Sequence, residues 1–161
     1  MTAEILKNPD RRRLLALAGG ALGLMLMPDL LRAAVAKLPT YPMKAFNTPK
    51  VDEVLQLAFD GRKVTPSDKV KLTAPEIAAN GAVVPVSAET TLPKVTRMAF
   101  MVDGNPYALA SDYVLPAGTE PYVSNRIKMK KTSNVIALVE SDGKLYSATK
   151  KVKVTVGGCG G

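Results

Sequence analysis

The sequence predicts an all-β fold, an antiparallel β-sandwich of about seven strands, for most of the chain. Three observations support this prediction. Apolar and polar residues alternate with a period of two over many short runs, turn-forming residues separate these runs, and no helical pattern lies between them. One short helix is expected before the strands, and a flexible C-terminal tail is expected after them.

The helix is predicted over residues 49–60. Thr48 can cap its first turn, and Pro49 fits that turn because proline's missing N–H is not needed there. Gly61 is the expected stop. The apolar residues on one face of this helix are Val51, Val54, Leu55, Ala58 and Phe59. We expect this stripe to cover part of the domain core; the alternative is a partner-binding helix.

The seven strands are predicted over residues 69–74, 83–86, 95–102, 107–115, 123–130, 134–140 and 145–156. Pro85 restricts the second strand to a sheet edge or a bulge, because proline cannot donate to the ladder. Asp142 and Gly143 predict a tight hairpin turn between the last two strands. The methionines expected in the core, rather than as thioether ligands of a metal, are Met43, Met98, Met101 and Met129.

Residues 1–36 have the pattern of a cleaved export signal. Arg11 and Arg12 precede a short apolar stretch, and Ala34 and Ala36 form a small-x-small cleavage site. The basic residues are similar to a twin-arginine signal, which delivers folded cargo. A Sec signal and a retained membrane anchor are the alternatives. We therefore expect the mature protein in the bacterial periplasm, with no membrane contact after cleavage.

Composition excludes several kinds of active site. The chain of 161 residues has no His and one Cys, so it has no Ser-His-Asp triad, no His-ligated metal and no internal disulfide. We expect no metal and no separate cofactor. Without the leader, 17 basic and 11 acidic residues leave a formal charge of +6. This charge favours anionic partners, but an exported protein is not expected to meet nucleic acid.

The only cysteine lies between two pairs of glycines, after the last predicted strand. Glycine has no side chain to pack and has wide backbone freedom, so a flexible arm over residues 157–161 is predicted beyond a folded domain over residues 37–156. The glycines of this arm are Gly157, Gly158, Gly160 and Gly161, and its thiol belongs to Cys159.

This arrangement favours a covalent carrier over a catalytic nucleophile. A nucleophilic thiol needs a neighbouring base or cation, and the nearest cation to Cys159 in the sequence is Lys153. A tethered thiol instead presents an attached group to other enzymes at high effective concentration. The alternatives are an exported immunoglobulin-like binding module with an incidental Cys, and a thiol-dependent enzyme.

Lysines near the end of the last strand have two interpretations. Lys150, Lys151 and Lys153 can steer partners or bias the position of an anionic group carried on the arm. The alternative, which we favour from the sequence alone, is that they form a solvated strand face.

The ending over residues 152–161 resembles the C-terminus of the SoxY family, the sulfur-carrier subunits of the periplasmic Sox thiosulfate-oxidation system. Further similar stretches cover residues 71–81, 83–86, 132–135 and 142–146. The resemblance implies an immunoglobulin-like sandwich. It also implies that Cys159 is the attachment site for thiosulfonate and persulfide intermediates.

The same resemblance implies a set of partners. The family pairs tightly with SoxZ as a heterodimer and acts transiently with three enzymes. The SoxAX cytochrome attaches thiosulfate to the thiol, the SoxB hydrolase releases sulfate, and SoxCD, where an organism has it, oxidises the remaining sulfur. The chain itself is then a carrier and not an enzyme. No residue other than Cys159 has a transferable role in the chemistry.

Overall fold

The computed structural model describes residues 42–156, which form nine strands, one α-helix and one 3₁₀ turn. The 3₁₀ turn covers Met43–Asn47, and helix α1 covers Val51–Phe59. The strands are β1 (Val64–Pro66), β2 (Val70–Thr73), β3 (Ile77–Ala78), β4 (Val84–Thr90), β5 (Val95–Val102), β6 (Leu109–Val114), β7 (Tyr122–Ile127), β8 (Ser133–Ser141) and β9 (Lys144–Val154).

The strands form two sheets, which confirms the β-sandwich. The large sheet has the order β1-β9-β8-β5-β6, with β3 also paired to β9, and the small sheet has the order β2-β4-β7. The long ladders are antiparallel, as predicted. The two strands beyond the predicted seven, β1 and β3, pair with β9 in parallel. With three and two residues, they are too short to show a period of two in the sequence.

The core between the sheets is built from the alternate residues that point inward. Val84 and Val86 of the small sheet belong to the same buried cluster as Phe100 and Val135 of the large sheet. Met98, Met101 and Met129 are buried, as predicted. The prediction for Met43 is wrong: this side chain is 62% exposed, because it lies in the 3₁₀ turn at the surface.

Helix α1 covers the other face of the large sheet. Val54 and Phe59 are buried in a second cluster with Ala99, Met101 and Leu138 of strands β5 and β8. The apolar stripe therefore belongs to the core, as expected, and does not form a free partner-binding face. The middle of the large sheet is buried on both faces, which explains why β5 ends in five consecutive buried residues.

The ends of α1 differ slightly from the prediction. The N-cap is Lys50, not Thr48, and no side chain caps it. The hydroxyl of Thr48 accepts a hydrogen bond from the Lys50 N–H at 3.3 Å and donates one to the Glu53 carboxylate. The hydrogen bond from Thr48 is the main reason why the pKa of Glu53 lies below its ordinary value, and a hydrogen bond from the Lys50 side chain adds to this effect. At the C-terminal end, the Gly61 N–H donates to the Leu55 carbonyl at 2.9 Å, as a helix stop requires.

The structure accounts for the proline in β4 and for the turn between β8 and β9. Strand β4 is central in its sheet, but at Pro85 it pairs only with Arg126 of β7, because the pairing with β2 starts at Ser87. At Pro85, β4 is therefore locally an edge on its β2 side, which is where a strand tolerates proline. Asp142 and Gly143 have φ values of 49° and 74°, which confirms the tight turn between β8 and β9.

Candidate functional site

The predicted attachment site lies outside the described residues. This applies to Cys159 and to the arm glycines Gly157, Gly158, Gly160 and Gly161, and also to the leader residues Arg11, Arg12, Ala34 and Ala36. The structure does describe the segment from which the arm leaves the domain. We call residues 153–156 the arm root.

Strand β3 holds one side of the arm root. Ile77 pairs with Lys153, and Ala78 pairs with Val154. The Lys153 N–H donates to the Glu76 carbonyl at 2.9 Å, and the Thr155 N–H donates to the Ala78 carbonyl at 3.1 Å. The short parallel strand that the sequence did not predict therefore fixes the end of β9.

Two further contacts fix the arm root, one at the last residue of strand β9 and one beyond it. The Thr132 hydroxyl accepts a hydrogen bond from the Val154 N–H at 3.0 Å. The Gly81 N–H donates to the Val156 carbonyl at 2.7 Å. Strand β9 thus ends at Val154 rather than at residue 156 as predicted, but its backbone is held by hydrogen bonds as far as Val156.

This anchorage defines where the thiol can act. Cys159 is three residues from Val156, and an extended chain covers about 3.3 Å per residue, so its Cα lies within about 10 Å of a fixed point. The side chain of Val156 is 63% exposed, so the arm root ends at the surface of the domain. The short sequence separation limits how far Cys159 can lie from this anchored end.

A buried asparagine, Asn105 in the turn between β5 and β6, is connected to the arm root by hydrogen bonds, and the sequence analysis did not single it out. Asn105 donates from Nδ2 to the Lys128 carbonyl at 2.7 Å and accepts from the Lys130 N–H at 2.9 Å. Between them, the Met129 N–H donates to the Gly81 carbonyl at 2.7 Å. Because Gly81 in turn binds Val156, this chain of hydrogen bonds links the β5–β6 turn to the arm root.

The lysines expected near this site divide into two kinds. Lys150 donates from Nζ to the Ala74 carbonyl at 2.7 Å, so its ammonium group is used within the domain. Lys151 and Lys153 are exposed on the opposite face of the strand. Of the three lysines, only Lys151 and Lys153 therefore present their positive charge to solvent, where it can attract an anionic group.

Three surface cavities of about 280, 330 and 390 Å³ lie along the sheets of the described domain, and the residues that line these three do not include the arm root. Within residues 42–156, no group of three His, Cys, Asp or Glu side chains is placed to hold a metal ion. Nor does that part of the chain contain a helix with the length and apolar character needed to cross a bilayer.

Comparison with known families identifies the kind of protein that carries this arm. The family model for the sulfur oxidation protein SoxY matches residues 55–159, a range that ends at the single cysteine. The chain belongs to the SoxY family. Among curated proteins, none matches this sequence significantly.

A solved SoxY structure has the same fold. The sulfur carrier protein SoxY from Chlorobium limicola f thiosulfatophilum is 34% identical to this chain, with a TM-score of 0.61, and the match covers 66% of this chain and 97% of that one. The immunoglobulin-like sandwich is thereby confirmed. Family and structure together support a sulfur-carrier role.

Two structures of a superoxide reductase (neelaredoxin) from Ignicoccus hospitalis are weaker matches. The first is 22% identical with a TM-score of 0.46, covering 53% of this chain and 80% of that one. The second, a variant of the same reductase, is 21% identical with a TM-score of 0.47, covering 65% and 92%. At these identities and TM-scores, we draw no conclusion about function from the two reductase structures.

Proposed function

We propose that this protein is a covalent carrier of sulfur intermediates in the oxidation of thiosulfate to sulfate, with Cys159 as the attachment site. One observation carries the proposal: the only thiol in the sequence follows by three residues Val156, whose backbone is still hydrogen-bonded to the domain beyond the end of strand β9. A fixed root and a short glycine arm present the same sulfur atom to several enzymes in turn. Membership of a sulfur oxidation family supports this use.

The proposed chemistry needs external catalysts. In loading, Cys159 Sγ forms a bond to the outer sulfur of thiosulfate, the thiol proton leaves, and two electrons pass to an acceptor, for which we propose the SoxAX cytochrome. In release, water attacks the sulfonate sulfur and the S–S bond next to it breaks. Sulfate and two protons leave, and a persulfide remains on Cys159. We assign this hydrolysis to SoxB, and further oxidation of the persulfide to SoxCD.

The position of the arm root favours a carrier over a thiol-dependent enzyme. An enzyme encloses its substrate in a pocket lined by convergent polar groups, whereas the arm leaves from an exposed surface beside Val156. The two interpretations differ in a simple assay. A carrier without its partners turns over no thiosulfate, and an enzyme does.

The sheet edges support pairing with a second β protein, for which we propose SoxZ in a tight heterodimer. Strand β6 pairs with β5 on one side, and within residues 42–156 no strand covers its other side. Val114 on this edge strand is 58% exposed. An open edge of this kind is a template for pairing. We place the complex in the periplasm, after removal of a twin-arginine leader.

The intact mass of the protein tests the carrier function directly. Protein isolated from the periplasm of its own organism during thiosulfate oxidation is expected to carry added sulfur atoms, or a thiosulfate group, on the peptide that contains Cys159. The same sample treated with a reductant is the control, and it should return to the unmodified mass. A terminal peptide that stays unmodified during active oxidation would support the binding module with an incidental Cys instead.

Bulk beside the thiol is expected to slow loading and unloading. In the Gly158→Val and Gly160→Val variants, a branched side chain next to Cys159 obstructs entry into a narrow partner site, and we expect rates at least about tenfold lower. Gly158→Ala and Gly160→Ala are the matched controls, with a smaller expected loss. Single-turnover loading by the partner enzymes measures the effect. Loading and unloading rates equal to wild type in both valine variants would show that residues without side chains are not needed beside Cys159.

A further inference from the structure

Five exposed lysines lie in the arm root or on segments next to it, although they come from two separate parts of the chain. The β7–β8 connection contributes Lys128, Lys130 and Lys131, and strand β9 contributes Lys151 and Lys153. We call these five residues the lysine collar. Met129 is fully buried between Lys128 and Lys130, so the alternation of the backbone turns both flanking lysines toward solvent.

Hydrogen bonds bring the β7–β8 connection to the arm root. The Met129 N–H binds the Gly81 carbonyl, and the Gly81 N–H binds the Val156 carbonyl, each at 2.7 Å. Neighbouring backbones in such a ladder are about 4.8 Å apart, so the connection passes within about 10 Å of Val156. Thr132, which follows Lys131 directly, accepts a hydrogen bond from the Val154 N–H at 3.0 Å.

The buried Asn105 keeps this connection in place. Its amide group binds the backbone on both sides of Met129, at Lys128 and Lys130. The side chain of Lys131 is exposed and lies beside the backbone of Gly104. The backbone that carries Lys128 and Lys130 is therefore held in place by hydrogen bonds to Asn105.

The charge of the collar is not neutralised within the domain. Across residues 42–156, ion pairs form between Lys50 and Glu53, Arg62 and Glu140, Lys71 and Glu89, Lys94 and Asp142, and Arg97 and Asp112. None of these pairs includes a collar lysine. Two carboxylates come from residues next to the collar: the Glu76 carbonyl binds the Lys153 N–H, and Asp103 is bound by Asn134, which pairs with Lys151. These two negative charges reduce the positive charge of five lysines but do not cancel it.

We propose that the lysine collar binds the sulfur oxyanions that arrive at Cys159 and the anionic groups that Cys159 carries. The inference rests on the proposed carrier function. Thiosulfate, the thiosulfonate adduct and the persulfide are all anionic, whereas the free thiol is neutral. The five lysines lie on strand β9 and on a connection that is hydrogen-bonded to the arm root directly or through Gly81, and their positive charges create a local potential there that concentrates such anions. The collar thereby favours loading and holds the loaded end close to the domain until a partner enzyme takes it.

The reactivity of Cys159 toward charged reagents tests the collar. The mature protein is treated at low salt with an anionic disulfide, 5,5′-dithiobis(2-nitrobenzoate), and with a neutral one, 4,4′-dithiodipyridine. In each case the thiolate attacks one sulfur, a mixed disulfide forms, and an aryl thiolate leaves. In the triple variant Lys128→Gln, Lys130→Gln, Lys131→Gln, we expect the anionic rate divided by the neutral rate to fall by about three- to tenfold. The difference should disappear in 1 M salt, where the screening length is about 3 Å.

A control variant removes the same charge from the other end of the sandwich. It carries the substitutions Lys63→Gln, Lys69→Gln and Lys144→Gln. Lys63 and Lys144 lie near the start of β9, and Lys69 directly precedes β2. Because β9 spans 11 residues, about 35 Å, its start is far from the arm root. We expect the rate ratio to change by less than about twofold in this variant. If the rate ratio falls equally in the two variants, or falls in neither, the proposal that the collar binds anions is wrong. Because the reagents report charge at the thiol whatever it carries in the cell, this outcome is distinct from failure of the carrier function.

Discussion

Cys159→Ser is expected to abolish thiosulfate oxidation by the reconstituted Sox enzymes while leaving the thermal unfolding temperature unchanged. A serine hydroxyl ionises far less readily than a thiol and forms no persulfide, so the attachment chemistry is lost. Stability should not change, because the buried clusters of the domain are formed by residues between Ala45 and Val152. Oxidation rate and calorimetry on the same preparation measure both parts.

A displaced thiol provides the control for this experiment. Ser124 is exposed on β7, and the double variant Cys159→Ser, Ser124→Cys keeps one thiol but places it on the body of the sandwich. We expect no recovery of oxidation, because this sulfur has no arm to carry it to a partner. A lower unfolding temperature in Cys159→Ser would indicate that the cysteine has a structural role. Full oxidation activity in Cys159→Ser would show that Cys159 is not the attachment site.

The second large effect concerns a buried ion pair that ties α1 to the large sheet. Arg97 donates from Nε and Nη2 to the two carboxylate oxygens of Asp112 at 2.7 and 2.5 Å, and from Nη1 to the Ala58 carbonyl at 2.6 Å. Its guanidinium lies 4.1 Å from the centre of the Phe59 ring. The side chains of Arg97 and Asp112 are only 18% and 6% exposed.

Arg97→Met is therefore expected to lower the free energy of unfolding by about 3 kcal/mol, because it leaves the carboxylate of Asp112 buried without a counter-charge. For a domain of this size the unfolding temperature falls by roughly 10 °C. Denaturant and thermal unfolding measure the change. The effect acts on the stability of the domain and does not involve the thiol.

Two variants separate this effect from a general loss of charge. Lys71→Met removes an ion pair with Glu89 whose side chains are 71% and 49% exposed, and we expect a change below about 1 kcal/mol. Arg97→Met combined with Asp112→Leu removes both buried charges and should recover much of the loss. An equal cost for Arg97→Met and Lys71→Met would show that burial of the pair has no energetic consequence.

Much of this fold was predictable because its signals are local. The spacing of the apolar residues in α1 and the alternation in the long strands are set by the geometry of helix and strand, so they appear within a few residues. The turn at Asp142 and Gly143 has the same character, because a residue pair that accepts positive φ determines it. The glycine-flanked Cys159 and the family resemblance are also properties of short segments.

Features that depend on distant segments were missed or misplaced. Strands β1 and β3 exist only because the edge of β9 offers backbone partners, and two or three residues carry no periodic signal of their own. The helix was predicted to be capped by Thr48, but the contact between Thr48 and Glu53 spans the first turn and leaves Lys50 at the N-cap. Met43 was predicted in the core, and its place depended on where the 3₁₀ turn meets the sheet.

The sequence by itself determined that this chain is a β-sandwich of the SoxY family with a single thiol between glycines. These properties are encoded in residue types at short spacing. Tertiary structure alone decided where the arm begins, because Gly81, Thr132 and β3 reach the arm root from separate parts of the chain. It also decided which lysines gather there and which, like Lys150, are used inside the domain. Hydrogen bonds between distant backbones create that arrangement, and no local pattern records them.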